Sequence, residues 1–364
     1  MKIVCTHENL KKGLNITSRI SNGSTTLPVL NNVLLKTDQG GLKISATNLE
    51  MGVNTWVRCK VEDEGSISVP AKTFTDLINN LPPDNITLEA NDGHLFIHSN
   101  GYKTKIKGLS ADEFPLIPQI SEENGVTVSA GDLKDSIIQV AFAAAYSETQ
   151  PEISGVLFSF EDSKLKLVAT DRYRLAEKTM DINAAANRNI IIPNRAIQEL
   201  AKVLASAGSE QVSIYVSQNQ AMFKAGETEL TSRLIDGQYP DYKQIIPQEF
   251  NTEVQISTDD LASAMRTTGI FTQTGNNVNL EYAAPDSLTV SAASGDIGES
   301  SVNVESKVSG SSGKIIFNHR YILDCLSAIG TKNVTFHIIN ESSPAVLKSA
   351  DLPGYVYLVM PIKI

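Results

Sequence analysis

The chain has 364 residues, of which 41% are hydrophobic and 20% charged, and it carries a formal net charge of −10. That length is more than one hydrophobic core usually organises, so two or three domains are expected; no stretch approaches the 18 or so consecutive apolar residues of a membrane-spanning helix. Three widely spaced cysteines, Cys5, Cys59 and Cys325, form neither a disulfide framework nor a zinc pattern, and the N-terminus lacks an apolar signal core, which together point to the reducing cytoplasm.

In chain order, HENLKKGLNITSRIS (7–21) has the apolar spacing of an amphipathic helix. Strand-like PVLNNVLLKT and LKISATNLEMGV follow, then a strand running into a helix, SISVPAKTFTDLINNL, and a strand pair with a tight turn, ITLEANDGHLFIHS. The series then recurs. A helix, AGDLKDSIIQVAFAAAYS, precedes PEISGVLFSF and LKLVATDRYRLA, followed by NIIIPNRAIQELAKVLAS and VSIYVSQNQAMFKA. A third passage runs TDDLASAMRTTGIF, NNVNLEYA, LTVSAASGDIGES, KIIFNHRYILDCLSAIG and VTFHIINESSPAVLKS. Leu10, Leu133 and Leu261 hold equivalent helix positions, and Ala46, Ala169 and Ala292 are evenly spaced by 123 residues. Pro70 and Pro193 correspond likewise, with Phe317 at the third position. A fixed long period marks a repeated structural unit. The sequence therefore predicts three domains, 1–125, 126–250 and 251–364, each with two helices and roughly eight strands. Short turns between strands make the sheets antiparallel and the class α+β.

Active-site patterns are missing. There is no nucleophile elbow, no phosphate-cradling glycine loop and no zinc-protease helix. His94 and His98 alternate along a strand with no third ligand nearby. In VATDRYRLAEK (168–178), Asp171 and Tyr173 resemble an acid–base pair, but no nucleophile or second carboxylate accompanies them. Asn48, the repeat counterpart of Asp171, cannot transfer a proton, so Asp171 reads as a turn-former. The expectation is a protein that is not an enzyme and takes no cofactor or metal.

The six helices hold nine Lys or Arg against eight Asp or Glu, and four of those acids (Glu8, Asp132, Asp259, Asp260) sit at helix starts, where capping explains them. Lys11, Lys12, Arg19, Lys72, Lys134, Arg195, Lys202, Arg266 and Arg320 remain as candidates for phosphate contact. A domain of this size is about 30–35 Å across. Three in a closed triangle leave no room for a duplex, whereas six in a ring enclose a hole about one domain wide. A chain of three such domains can encircle DNA only by pairing head to tail with a second copy.

Taken together, TTLPVLNNVLLKT, ATNLEMGV, SGVLFSFEDSKLKLVATDRYRLA, RLIDGQYPDYKQIIP and YLVMPIKI resemble the bacterial DNA polymerase III beta subunit, the sliding-clamp family, along the whole chain. The resemblance implies three repeated domains of the DNA-clamp fold forming half of a closed ring. It implies a homodimer around double-stranded DNA that tethers the replicative polymerase, the clamp loader and other clamp-binding proteins through short linear motifs. Carried over position by position, the partner pocket comprises Ile153, Thr170, Arg172, Tyr173, Arg174, Leu175, Pro240, Ile245, Pro344, Leu358, Met360, Pro361, Ile362 and Lys363. Of these, Tyr173 and Arg174 are expected to hydrogen-bond peptide groups at the rim. For Ile153, Leu175 and Leu358 ordinary core is the competing expectation. The resemblance also points to Ile106, Ile270 and Phe271 as the dimer interface, with a local core the equal alternative for Ile270 and Phe271. The chain departs from the family pattern at Ser24-Thr25-Thr26, at Thr149-Gln150-Pro151 and at Arg172-Tyr173. Those departures put two loop contacts to DNA and the shape of the pocket mouth in question.

Overall fold

The computed structural model describes residues 1–21, 27–183, 187–272 and 275–363, so Ser24-Thr25-Thr26 lies outside the described residues. The first repeat runs β1 (Lys2–Thr6), α1 (His7–Thr17), β2 (Asn32–Asp38), β3 (Gly41–Thr47), β4 (Met51–Val57), β5 (Lys60–Asp63), β6 (Ser66–Pro70), α2 (Ala71–Asn80), β7 (Asn85–Asn91), β8 (His94–Ser99) and β9 (Tyr102–Lys107). The second runs β10 (Val126–Ser129), α3 (Ala130–Ala141), β11 (Gly155–Glu161), β12 (Lys164–Thr170), β13 (Arg174–Asp181), β14 (Arg188–Pro193), α4 (Asn194–Ala207), β15 (Gln211–Val216), β16 (Gln220–Ala225) and β17 (Thr228–Arg233). The third runs β18 (Thr252–Ser257), α5 (Thr258–Gly269), β19 (Asn277–Ala283), β20 (Ser287–Ser294), β21 (Gly298–Gly310), β22 (Gly313–Asn318), α6 (His319–Ile329), β23 (Asn333–Ile338), β24 (Ala345–Lys348) and β25 (Tyr355–Val359).

The repeat is visible in local chemistry. Thr6 Oγ1 accepts from Asn9 N at 3.3 Å, Ser129 Oγ from Asp132 N at 3.2 Å and Ser257 Oγ from Asp260 N at 3.4 Å, so the first helix of each repeat is capped by a hydroxyl in the same way. Leu10, Leu133 and Leu261 are all fully buried. Such side chains contribute about 1.5–3 kcal/mol each. Gly13 lets α1 approach its sheet, because a Cβ there would stand 2.6 Å from Val57 Cγ2. Two of these helices are shorter than their apolar pattern: α1 stops at Thr17 and α3 at Ala141. Beyond α3 the chain turns, and Ala145 N bonds Ile153 O at 3.0 Å.

Among the described residues the second and third repeats have eight strands and the first has nine, against roughly eight expected. In the third repeat β21 runs unbroken from the β20 ladder, ending at Ser287↔Glu305, into the β18 ladder, beginning at Ile256↔Ser306. In the first repeat the same path breaks at Arg58-Cys59 and yields β4 and β5.

The chain packs as two compact units, residues 1–134 with 195–234, and residues 135–194 with 235–364. The first holds a five-stranded sheet, β5-β1-β7-β8-β9, and an eight-stranded sheet, β10-β15-β16-β17-β4-β3-β2-β6. The second holds a twelve-stranded sheet, β14-β11-β12-β13-β25-β24-β23-β18-β21-β20-β19-β22. Both large sheets cross a repeat boundary by antiparallel pairing of a late strand with a mid-repeat strand: β17 with β4, and β25 with β13. Each junction thereby removes two exposed sheet edges. Among the described residues, no helix is long and apolar enough to cross a membrane.

Candidate docking site

The turn between β12 and β13 is built by its own side chains. Asp171 Oδ1 accepts from Tyr173 N and Arg174 N, both at 3.0 Å, while Thr170 Oγ1 accepts from Arg172 N at 3.1 Å and donates to Arg174 O at 2.7 Å. The first repeat reproduces this frame. Asn48 Oδ1 accepts from Glu50 N and Met51 N, and Thr47 Oγ1 accepts from Leu49 N and donates to Met51 O. Leu49 and Arg172 share the left-handed conformation, with φ of 75° and 76°. Asp171 is thus a bracing residue, as expected.

Behind this turn lies an apolar floor. Leu157, Val168, Leu175, Ile191, Tyr239, Tyr242, Val346 and Leu358 pack together, with Ile246, Phe250 and Met360 at the margin. Tyr239 donates to Val168 O at 3.3 Å and meets Tyr242 edge to face at 6.5 Å. Burial raises both phenol pKa values, so both stay neutral. The residues after β25 continue along this floor: Met360 N bonds Tyr173 O at 2.8 Å, and Ile362 N bonds Ile316 O at 2.8 Å.

The pocket residues named from the sequence divide by exposure. Ile153, Thr170, Leu175, Leu358 and Pro361 are buried; Arg174, Pro344, Met360 and Ile362 are half-buried; Arg172, Tyr173, Pro240, Ile245 and Lys363 are exposed. The burial of Ile153, Leu175 and Leu358 suits either core packing or the floor of a pocket.

Arg174 has a structural role that the sequence did not show. Its Nε bonds Asp171 Oδ2 at 2.9 Å, its Nη1 bonds Asp324 Oδ2 at 2.5 Å and its Nη2 bonds Phe142 O at 3.0 Å. The guanidinium also lies 4.6 Å from the Tyr321 ring centroid and 5.5 Å from that of Phe142. Burial opposes its charge, but the hydrogen bond to Asp324 and the nearby Tyr357 and Asp171 more than compensate, and its pKa is raised. A side chain so engaged fastens the turn, and three of its five N–H donors are taken up within the chain. Sequence reading missed Asp324, Tyr321 and Phe142 because nothing in their local patterns marks them. Tyr239 was visible only as part of the stretch RLIDGQYPDYKQIIP.

The other named residues are spread over several elements. Lys12, Arg19, Lys72, Arg195, Lys202, Arg266 and Arg320 are exposed, and Lys11 and Lys134 half-buried. Lys202 is paired with Glu199 at 2.7 Å, and Lys12 donates to Ala207 O at 3.0 Å. Ile270 is 67% exposed, Phe271 half-buried and Ile106 buried against its own sheet.

A groove of about 830 Å³ in the first unit offers an instructive contrast. Its lining includes Lys36, Lys43, Ser45, Asn54, Trp56 and Glu229 beneath the 111–120 segment. These groups are largely satisfied within the groove: Ser45 bonds Asn54 at 2.7 Å, Trp56 bonds Asp38 at 3.0 Å, and Lys43 sits over the Trp56 ring. Its lining mixes these charged and polar groups with Leu34, Phe114, Ile117 and Met222, unlike the cluster around Leu175 and Leu358 in the second unit.

Comparisons with known proteins agree along the whole chain. Models of the N-terminal, central and C-terminal domains of the DNA polymerase III beta subunit match residues 1–118, 127–241 and 243–363. The beta sliding clamp of Synechococcus elongatus is 33% identical, with 100% of each chain covered, and that of Staphylococcus aureus is 30% identical over 96% of each. The sliding clamp of Pseudomonas aeruginosa, solved bound to griselimycin, superposes with a TM-score of 0.94 at 28% identity over 100% of both chains. The clamp of Bacillus subtilis gives 0.94 at 26% identity, covering 100% of this chain and 99% of that one. With three α+β repeats, six helices and antiparallel sheets, the chain belongs to the DNA polymerase III beta subunit family, the beta sliding clamps.

Proposed function

We propose that the chain acts as a processivity clamp: a homodimer that closes around duplex DNA, catalyses nothing, and tethers the replicative polymerase and clamp loader in the cytoplasm. Domain limits of 1–125, 126–250 and 251–364 accompany this reading, supported by β10 starting at Val126 and β18 at Thr252.

One observation carries it. Within the chain, the last strand of a repeat pairs with the mid-repeat strand of the one before: β17 with β4, and β25 with β13. By the same rule β9, the last strand of the first repeat, and β21, the mid-repeat strand of the third, lack this kind of repeat-to-repeat partner among the described residues. β9 is a sheet edge, and residues 298–305 of β21 are paired only to β20 in the described ladders. Their charges are complementary, with Lys103, Lys105 and Lys107 on one and Glu299 and Glu305 on the other. Two copies joined head to tail satisfy both edges, and the closed arrangement has six domains. Exposed Ile270 beside Phe271 adds an apolar patch, and Ile106 backs β9 from within.

The floor of Leu175 and Leu358, rimmed by exposed Tyr173, Ile245 and half-buried Met360, suits a short apolar segment of a partner. Exposed Arg19, Lys72, Arg195, Arg266 and Arg320 suit weak, sequence-independent phosphate contacts that allow sliding. The test is retention on nicked circular DNA after loading. Linearising the circle should release the protein; protein that stays bound to the linear product would refute topological linkage.

A further inference from the structure

Strand β1 pairs with β5 through Ile3↔Val61 and Val4↔Lys60. The next rung of that register sets Cys5 opposite Cys59. Directly opposed residues project to the same face of a sheet, and burial agrees. Ile3 and Cys5 are buried, and Val61 and Cys59 across from them are half-buried. The two thiols are close enough for the charge of one to act on the other. Opposed Cα atoms in an antiparallel pair are about 4.5–5.5 Å apart, within the roughly 4.4–6.8 Å that a disulfide spans. Both cysteines are free thiols, whereas Cys325 sits in α6 with its Sγ 3.8 Å from Tyr355 Oη.

We propose that Cys5 and Cys59 form a two-thiol redox site, which closes to a cross-strand disulfide stapling β5 to β1 when oxidised glutathione is in excess. Cys59, the more exposed thiol, reacts first. Its thiolate attacks the glutathione disulfide, a mixed disulfide forms and one glutathione thiolate leaves. The Cys5 thiol loses its proton and attacks the Cys59 sulfur, forming the protein S–S bond and expelling the second glutathione. Two protein thiols thereby lose two electrons and two protons, and one glutathione disulfide becomes two thiols.

Reactivity is restrained. Burial pushes the Cys5 thiol up to about 12 and raises that of Cys59 as well, so exchange waits on fraying of β5, a four-residue edge strand. The site therefore answers to sustained rather than brief oxidation. The bond would fix the place where the first repeat breaks its mid-repeat strand and passes from one sheet to the other.

The test equilibrates the purified full chain with glutathione buffers of increasing oxidised fraction, quenches with acid, alkylates under denaturing conditions and weighs the intact protein. The expected result is loss of two of the three alkylatable thiols and a Cys5–Cys59 linked peptide after digestion. Cys59→Ser should abolish the link and Cys325→Ser should leave it unchanged. Refolding from denaturant in the oxidising buffer removes access as a cause of failure. Three free thiols in both formats, or linkage to Cys325 instead, would overturn the proposal.

Discussion

Arg174 on β13 and Asp324 on α6 form an ion pair of 2.5 Å, which ties the turn of the central repeat to the last helix of the third. The Arg174 side chain is 11% exposed and is shared with Asp171, whereas that of Asp324 is 46% exposed. Removing the arginine strands a bracing carboxylate beside buried rings, a loss on the order of 3 kcal/mol. Removing Asp324 exposes little and costs below about 1 kcal/mol. Urea midpoints of Arg174→Met and Asp324→Asn measure the two, and equal losses would contradict the asymmetry.

Gly52 on β4 lies under Ile117, and a Cβ at that position would stand 2.9 Å from Ile117 Cγ2. Gly52→Ala should therefore destabilise by about 1–3 kcal/mol. Ile117→Ala in the same chain should recover part of that loss, because the methyl then has room. A double-mutant cycle in thermal unfolding detects the coupling, and strict additivity would count against it.

His337 gives stability a pH dependence near neutrality. Burial beside the Phe250 ring, 5.0 Å away, holds its pKa below the ordinary value of 6.5; Glu253 opposes this shift and Lys348 reinforces it. The unfolded chain then binds more protons than the folded one, so this residue's contribution is complete above pH 6.5 and is lost as pH falls from there through the folded value. His337→Gln should show a smaller drop in urea midpoint between about pH 7.5 and about pH 5.5 than the parent. Parallel drops would exclude this residue as the source.

The edge-pairing proposal makes charge reversal informative. Lys103→Glu with Lys105→Glu should shift the dimer to monomer at micromolar concentration, and Glu299→Lys with Glu305→Lys should do the same. Mixing the two variants should restore both interfaces, one with the parental charges and one with the charges exchanged. Sedimentation velocity resolves these states. Unchanged dimers from both variants would remove this pairing from the interface.

Partner binding should depend on the tethered tail. Met360→Lys places a charge at the margin of the apolar floor and should weaken binding of the short apolar partner segment proposed for that floor at least tenfold, or roughly 1.4 kcal/mol. Removing residues 361–364 should do the same while leaving dimer formation intact. Calorimetry with either variant at parental affinity would place the ligand elsewhere.

Architecture was legible because repetition is a property of sequence: three capped helices, three buried leucines and a constant spacing of alanines survive even where individual strands are ambiguous. Strand number was less so, since whether Arg58-Cys59 interrupts a strand depends on two sheets meeting there. In the docking site, Leu175 and Leu358 were nameable and Tyr173 was placed at the rim. The bracing role of Arg174 was hidden, because its partner Asp324 is 150 residues away and occupies an unremarkable helix position. Ile106 illustrates the same limit: its place on an edge strand follows from the repeat, but its inward orientation follows from the pleat.

The duplicated turn has a bearing on how such a protein can change. Thr170 and Asp171 supply every side-chain oxygen that shapes it, as Thr47 and Asn48 do in the first repeat. Arg172 and Tyr173 contribute only backbone to that frame and project outward. Folding therefore places little constraint on these two side chains. Selection for a new binding protein, or a laboratory library seeking one, can vary these side chains without first repairing the scaffold, within two limits: position 172 must accept a left-handed backbone, and neither position can be proline.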